Sequence, residues 1–120
     1  MFEPGDTLFF KGHLFVVLSN SDYDAGHIVL GMFTTWEAYK DPSCILHPGD
    51  HPFLDHDTCV DYQTAPLLSA KELDDQIRAG QMTRREKLSQ SVLERVLSGA
   101  GKTQRIPNGC WIVLDNQDLV

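Results

Sequence analysis

"DTLFFKGHLFVVLS", from Asp6 to Ser19, decides between a helical and a β reading of this chain. Two apolar runs rich in aromatic and β-branched residues flank the pair Lys11-Gly12. Such runs separated by a short glycine-bearing break predict a tight hairpin, with strands near residues 6–10 and 13–19.

Working outward, "NSDYDAG" (20–26) is polar turn chemistry and "HIVLGMFTT" (27–35) resumes a buried strand. Gly31 inside that strand marks either a bulge or a close approach of backbone. Asp41-Pro42 signals a turn, "CILH" (44–47) is a strand fragment, and "DTCVDYQTAPLLS" (57–69) contains a strand near 58–66. Ser69 with Glu72 is a capping-box signature for a helix over 69–79, with Gly80 placed to end it. Thr83 with Glu86 repeats the signature for a helix over 83–98, whose apolar face is Leu88, Val92 and Val96. Pro107-Asn108-Gly109 then reads as a turn before a last strand, Cys110 to Leu114. The expected fold is mainly β with α: a small antiparallel barrel, drawn from residues 4–68 and 110–114, with two helices in the C-terminal half. A helix-packed open sheet is the competing picture. Residues 1–120 make a single domain.

Composition narrows the function. With 42% hydrophobic and 22% charged residues the chain suits a water-soluble domain, and no apolar run approaches the ~20 residues of a membrane span. The start, "MFEPGDTLFF", lacks a basic stretch and a cleavage site, so a cytoplasmic location is expected and no membrane partner. Cys44, Cys59 and Cys110 form no metal-type pair and read as small buried hydrophobes. The net charge of −7 is uneven. Before residue 69 the only bases are Lys11 and Lys40, among ten acids; from Ser69 onward eight bases meet seven acids. A generic nucleic-acid binder is basic throughout, so a polyanion could be held only locally.

"HPGDHPFLDHDTCVDY" (47–62) gathers His47, His51 and His56 with Asp50, Asp55, Asp57 and Asp61. Zinc or manganese would accept such donors, yet their spacing matches no known metal motif. A substrate-facing or structural hairpin is the expectation, with no metal and no cofactor.

The order of the strands resembles the MazF/PemK toxins, ribonucleases of toxin-antitoxin pairs built on an SH3-like barrel. "PGDTLFF" resembles that family's opening Gly-Asp strand and "GHLFVVLSN" its second strand. "VLGMFTT" resembles the third, which ends in Thr-Thr or Thr-Ser, and "DTCVDYQTAPLLSAKELDDQIRAG" its Ser-Val-Val strand leading into a helix. The resemblance implies cleavage of single-stranded RNA without a metal, a cognate antitoxin protein and a homodimer. It places Thr34 at the family's catalytic threonine and His13 where the family carries a phosphate-binding arginine.

Cleavage of this kind needs a base for the 2′-hydroxyl, an acid for the leaving oxygen, and donors for the crowded phosphorane. Histidine suits either proton role. His13, Thr34, His51 and His56 are therefore the candidate catalytic residues. Lys11, Thr35, Trp36, Asp57 and Thr58 are the candidate substrate-binding ones, with Trp36 and Tyr39 able to stack on bases. Arg84, Arg85 and Lys87 form a local basic cluster. Each has a bland alternative: His13 as an exposed turn residue, the threonines as strand formers, and His51 and His56 as pins holding a loop. A non-catalytic module that binds a peptide or protein on the same barrel is the second class of function.

Overall fold

The computed structural model describes residues 1–120. Strands β1 (Thr7–Phe10) and β2 (His13–Val17) pair antiparallel, with Phe10 opposite His13. Lys11 and Gly12 both have positive φ, 48° and 82°, which matches the twist of a tight hairpin. Strand β3 (His27–Thr35) pairs with β2, and its far half pairs with β5 (Thr58–Asp61), which also carries the short β4 (Ile45–Leu46). The near half of β3 pairs with β6 (Leu67–Ser69), and β1 takes β7 (Thr83–Arg85) on its outer edge.

The result is one seven-stranded antiparallel sheet with β4 at one end and β7 at the other, not closed into a barrel. The expected barrel is thus replaced by the helix-packed open sheet, and the apolar runs explain why. Leu14, Val16, Leu18, Val29 and Val60 face one side, while Leu8, Val17, Ile28 and Leu30 face the other, and all are buried. A sheet apolar on both faces needs cover on both. Helices α2 (Gln90–Lys102) and α3 (Asn108–Asn116) supply it on the first side through Val92, Val96, Cys110 and Leu114. Helix α1 (Ala70–Arg78) supplies it on the second through Leu73. No helix is long and apolar enough to cross a membrane.

Helix α1 matches its expected range. Ser69 caps it by accepting from the Lys71 amide at 3.1 Å, and Gly80, at φ 76°, ends it, its amide donating to the Ile77 carbonyl while the Gln81 amide donates to that of Gln76. Three other expectations are corrected. The helix expected over 83–98 begins at Gln90, because Thr83–Arg85 is used as the edge strand β7 and Ser89, not Thr83, is the cap. It also runs through Gly99 and Gly101 to Lys102. Residues 110–114 are helix rather than strand: Cys110, Val113 and Leu114 are buried at helical spacing while Trp111 and Ile112 are exposed. The strand expected over 58–66 ends at Asp61 as β5, where a turn that Asp61 ties to Thr64 follows, and β6 begins only at Leu67.

Gly31 fulfils the close-approach alternative. A Cβ there would lie 3.1 Å from a Val60 methyl. The open ends of the sheet are linked by the 47–57 segment: His51, which follows β4, reaches the Glu86 carbonyl just beyond β7, and the Phe53 ring packs tilted against Phe9 of β1, centroids 5.0 Å apart.

Candidate functional site

The β1–β2 hairpin places His13 at the first position of β2, and the β2–β3 register, continued outward from Phe15 and Met32, sets it beside Thr34. The 47–57 segment brings His56 to the same place. His13, Thr34, Thr35, His56 and Thr58 thus line one groove of about 410 Å³, walled by Phe53 and Leu54. Five of the candidate residues meet here.

His56 is held from both ends. Its Nδ1 lies 2.5 Å from an Asp55 carboxylate oxygen and its Nε2 lies 3.0 Å from Thr35 Oγ1. A carboxylate on one ring nitrogen orients the ring and leaves the other nitrogen directed at Thr35. His13 is exposed and its imidazole makes no hydrogen bond within the chain, so the ring is free to meet a ligand.

Sequence reasoning gave no role to Lys40. Its ammonium donates to Thr34 Oγ1 at 3.1 Å and to the Thr35 carbonyl at 2.7 Å, with Glu37 at 3.5 Å. The first half of the chain therefore does carry a cation at the threonine pair, supplied from the loop after β3 rather than from the position of His13. The available signal was that Lys40 and Lys11 are the only bases before residue 69.

The remaining candidates lie elsewhere. His51 is buried; its Nε2 donates to the Glu86 carbonyl at 2.5 Å and its Nδ1 accepts from the Phe53 amide at 3.0 Å. Both ring nitrogens are engaged within the fold, so His51 has the pinning role that was the alternative to catalysis. Asp57 is engaged by His47 Nδ1 at 2.8 Å, and its carbonyl accepts from the Trp36 amide. Trp36 is half-buried, Lys11 sits over the Phe10 ring at the hairpin tip, and none of these lines the groove. Arg84 and Lys87 pair with Asp6 and Glu3 and do not line the groove, while Arg85 lies over the Phe53 ring that walls it, 5.2 Å from its centre. No three His, Cys, Asp or Glu side chains converge in a way that could hold a metal ion.

On the other side of Thr34 lies a second cavity of about 340 Å³, lined by Tyr39, Lys40, Asp61, Gln63 and Arg105. Beneath it Asp41 accepts from the Ser43 hydroxyl and amide and from Thr103 Oγ1. Burial pushes the Asp41 carboxyl up, but these bonds and the nearby Arg105 outweigh it and hold the group below its ordinary value. The proximity of Tyr39 and Glu37 lowers the Glu37 carboxyl and raises the Tyr39 phenol. Burial raises all three thiols, that of Cys44 to about 11, and each cysteine is free and buried. The thiols therefore lie outside any nucleophilic chemistry near neutral pH.

No protein-family model, curated protein or solved structure matches this chain.

Proposed function

We propose that the chain is a metal-independent endoribonuclease acting on single-stranded RNA, toxin-like, cytoplasmic, paired with a second copy of itself and silenced by an antitoxin that covers the groove. The observation that carries this reading is the meeting of two imidazoles, a hydroxyl and an ammonium around Thr34. His56, backed by Asp55, takes the proton of the 2′-hydroxyl as that oxygen attacks phosphorus. His13 protonates the departing 5′-oxygen, leaving a cyclic phosphate. Lys40 polarises Thr34, whose hydroxyl donates to the phosphorane oxygens while the ammonium offsets their charge. The two proton transfers need no other group.

The test is cleavage of mixed-sequence single-stranded RNA with EDTA present. His13→Ala and His56→Ala should each lower the rate by about 10² to 10⁴, and Lys40→Ala by about 10². Wild-type protein inert on several such RNAs would overturn the reading. It would favour the second one, a protein-interaction module, for which the exposed Trp111 and Ile112 of α3 are the supporting observation.

A further inference from the structure

We propose that the cavity beyond Thr34 is a base-recognition subsite that takes a guanine of the RNA strand. This deepens the nuclease reading and rests on it. Thr34 lines both cavities, so a strand whose scissile phosphate sits on Thr34 presents the neighbouring nucleotide to Tyr39, Asp61 and Arg105. The volume of about 340 Å³ is at the low end for small-ligand sites and suits one planar base.

Charge selects the kind of ligand. Lys40 and Arg105 are offset by Asp41 and Asp61, so the cavity is not built for a bare anion. Asp41 is used up by Ser43 and Thr103, which leaves Asp61 as the available acceptor. One Asp61 oxygen accepts from the Thr64 amide at 3.3 Å and the other from Thr64 Oγ1 at 2.8 Å. Each oxygen keeps one lone pair, and the carboxylate is held in a fixed plane. Two free acceptors side by side match the adjacent N1–H and N2–H of guanine. Adenine and cytosine offer an amine beside a ring acceptor, and uracil offers one N–H between two carbonyl oxygens that the carboxylate repels. The Tyr39 ring is 76% exposed, with the Lys40 ammonium 5.8 Å from its centre, and supplies a stacking face. Arg105, which has no hydrogen bond or ion pair through its guanidinium, takes the adjoining phosphate.

The experiment is fluorescence anisotropy with two labelled 2′-O-methyl hexanucleotides, which cannot be cleaved: one all uridine, one with a single guanosine. Wild type should bind the guanosine-bearing oligomer about tenfold more tightly, as one bidentate base contact allows. Asp61→Asn, which replaces one acceptor by a donor, should remove that preference. Tyr39→Ala should weaken both oligomers several-fold, as loss of a stacking face does. Should Asp61→Asn fail to fold, Thr64→Val at an exposed position frees the carboxylate and should still reduce the preference. Equal wild-type affinities, no binding of either oligomer, or a preference that survives Asp61→Asn in folded protein would each overturn the subsite. His56→Ala separates the two claims, since it should lose cleavage and keep the guanosine preference. Cleavage without the preference refutes the subsite alone; an Asp61-dependent preference in a chain that cuts no RNA refutes the nuclease alone.

Discussion

His51→Ala tests whether the histidine that joins the two ends of the sheet is structural. The imidazole is 2% exposed and makes two hydrogen bonds, to the Glu86 carbonyl and from the Phe53 amide. Glu86 keeps a second donor, Thr7 Oγ1 at 2.7 Å, so its loss is one net bond of about 1 kcal/mol. The Phe53 amide loses its only partner in a half-buried position, which costs about 1–2 kcal/mol, and removing the ring from a packed site adds about 1. The sum is about 3–4 kcal/mol. At about 2.1 cal/mol/K of unfolding entropy per residue, a chain of 120 residues should melt about 12–16 °C lower. His51→Asn, whose amide oxygen can stand in for Nδ1, should retain the Phe53 bond and recover about half of the loss. Thermal melts read by circular dichroism give the answer, with urea midpoints at constant m as the check. A His51→Ala protein that melts within about 2 °C of wild type and yet cleaves no RNA would refute the structural role and return His51 to the catalytic set.

The three thiols should be silent toward a disulfide reagent at pH 8 in native protein and all titrate in urea, because burial raises each of them. Asp41 has a lowered pKa, so its stabilisation is present above the ordinary value of 3.8 and lost as pH falls through the lower folded value. Asp41→Asn should therefore cost about 2 kcal/mol at pH 7, with the gap from wild type narrowing below about pH 4 in urea midpoints. Two glycines of α2 should respond with opposite signs. A Cβ at Gly99 would lie 2.8 Å from the Ser43 carbonyl oxygen and from Cys44 Cβ, so Gly99→Ala should destabilise by about 1–3 kcal/mol, whereas Gly101→Ala meets only Val120 at 3.5 Å and should gain up to about 1. Matched melts of the two variants decide.

What the sequence disclosed was local. The Lys11-Gly12 turn, the strands on either side, Ser69 as a cap and Gly80 as a stop each depend on a few neighbouring residues, and each stands where it was expected. The failures needed information from across the chain. Thr83–Arg85 looks like a helix start until β1 offers an unpaired edge, and "CWIVL" (110–114) is apolar at every position, so a period of two and a period of 3.6 fit it equally. The three histidines of 47–57 could not be ranked from composition. A packed sheet end turns His51 inward, while His47 and His56 face outward to carboxylates.

The uneven charge has the same kind of explanation. The acids of the first half meet bases of the second: Asp50 pairs with Arg95, Asp6 and Glu3 with Lys87, and Asp6 with Arg84. Others are bound by hydroxyls or imidazoles, as Asp41 is by Ser43 and Thr103, Asp55 by His56 and Asp57 by His47. The asymmetry that argued against a polyanion is thus in part the two halves of one fold attracting each other. After these pairings Lys11, Arg85, Lys102 and Arg105 have no ion-pair partner, and only Arg105 lines a cavity beside Thr34. So few free cations neutralise few phosphates. On the proposed reading RNA affinity should therefore depend only weakly on salt, and most of it must come from the bases.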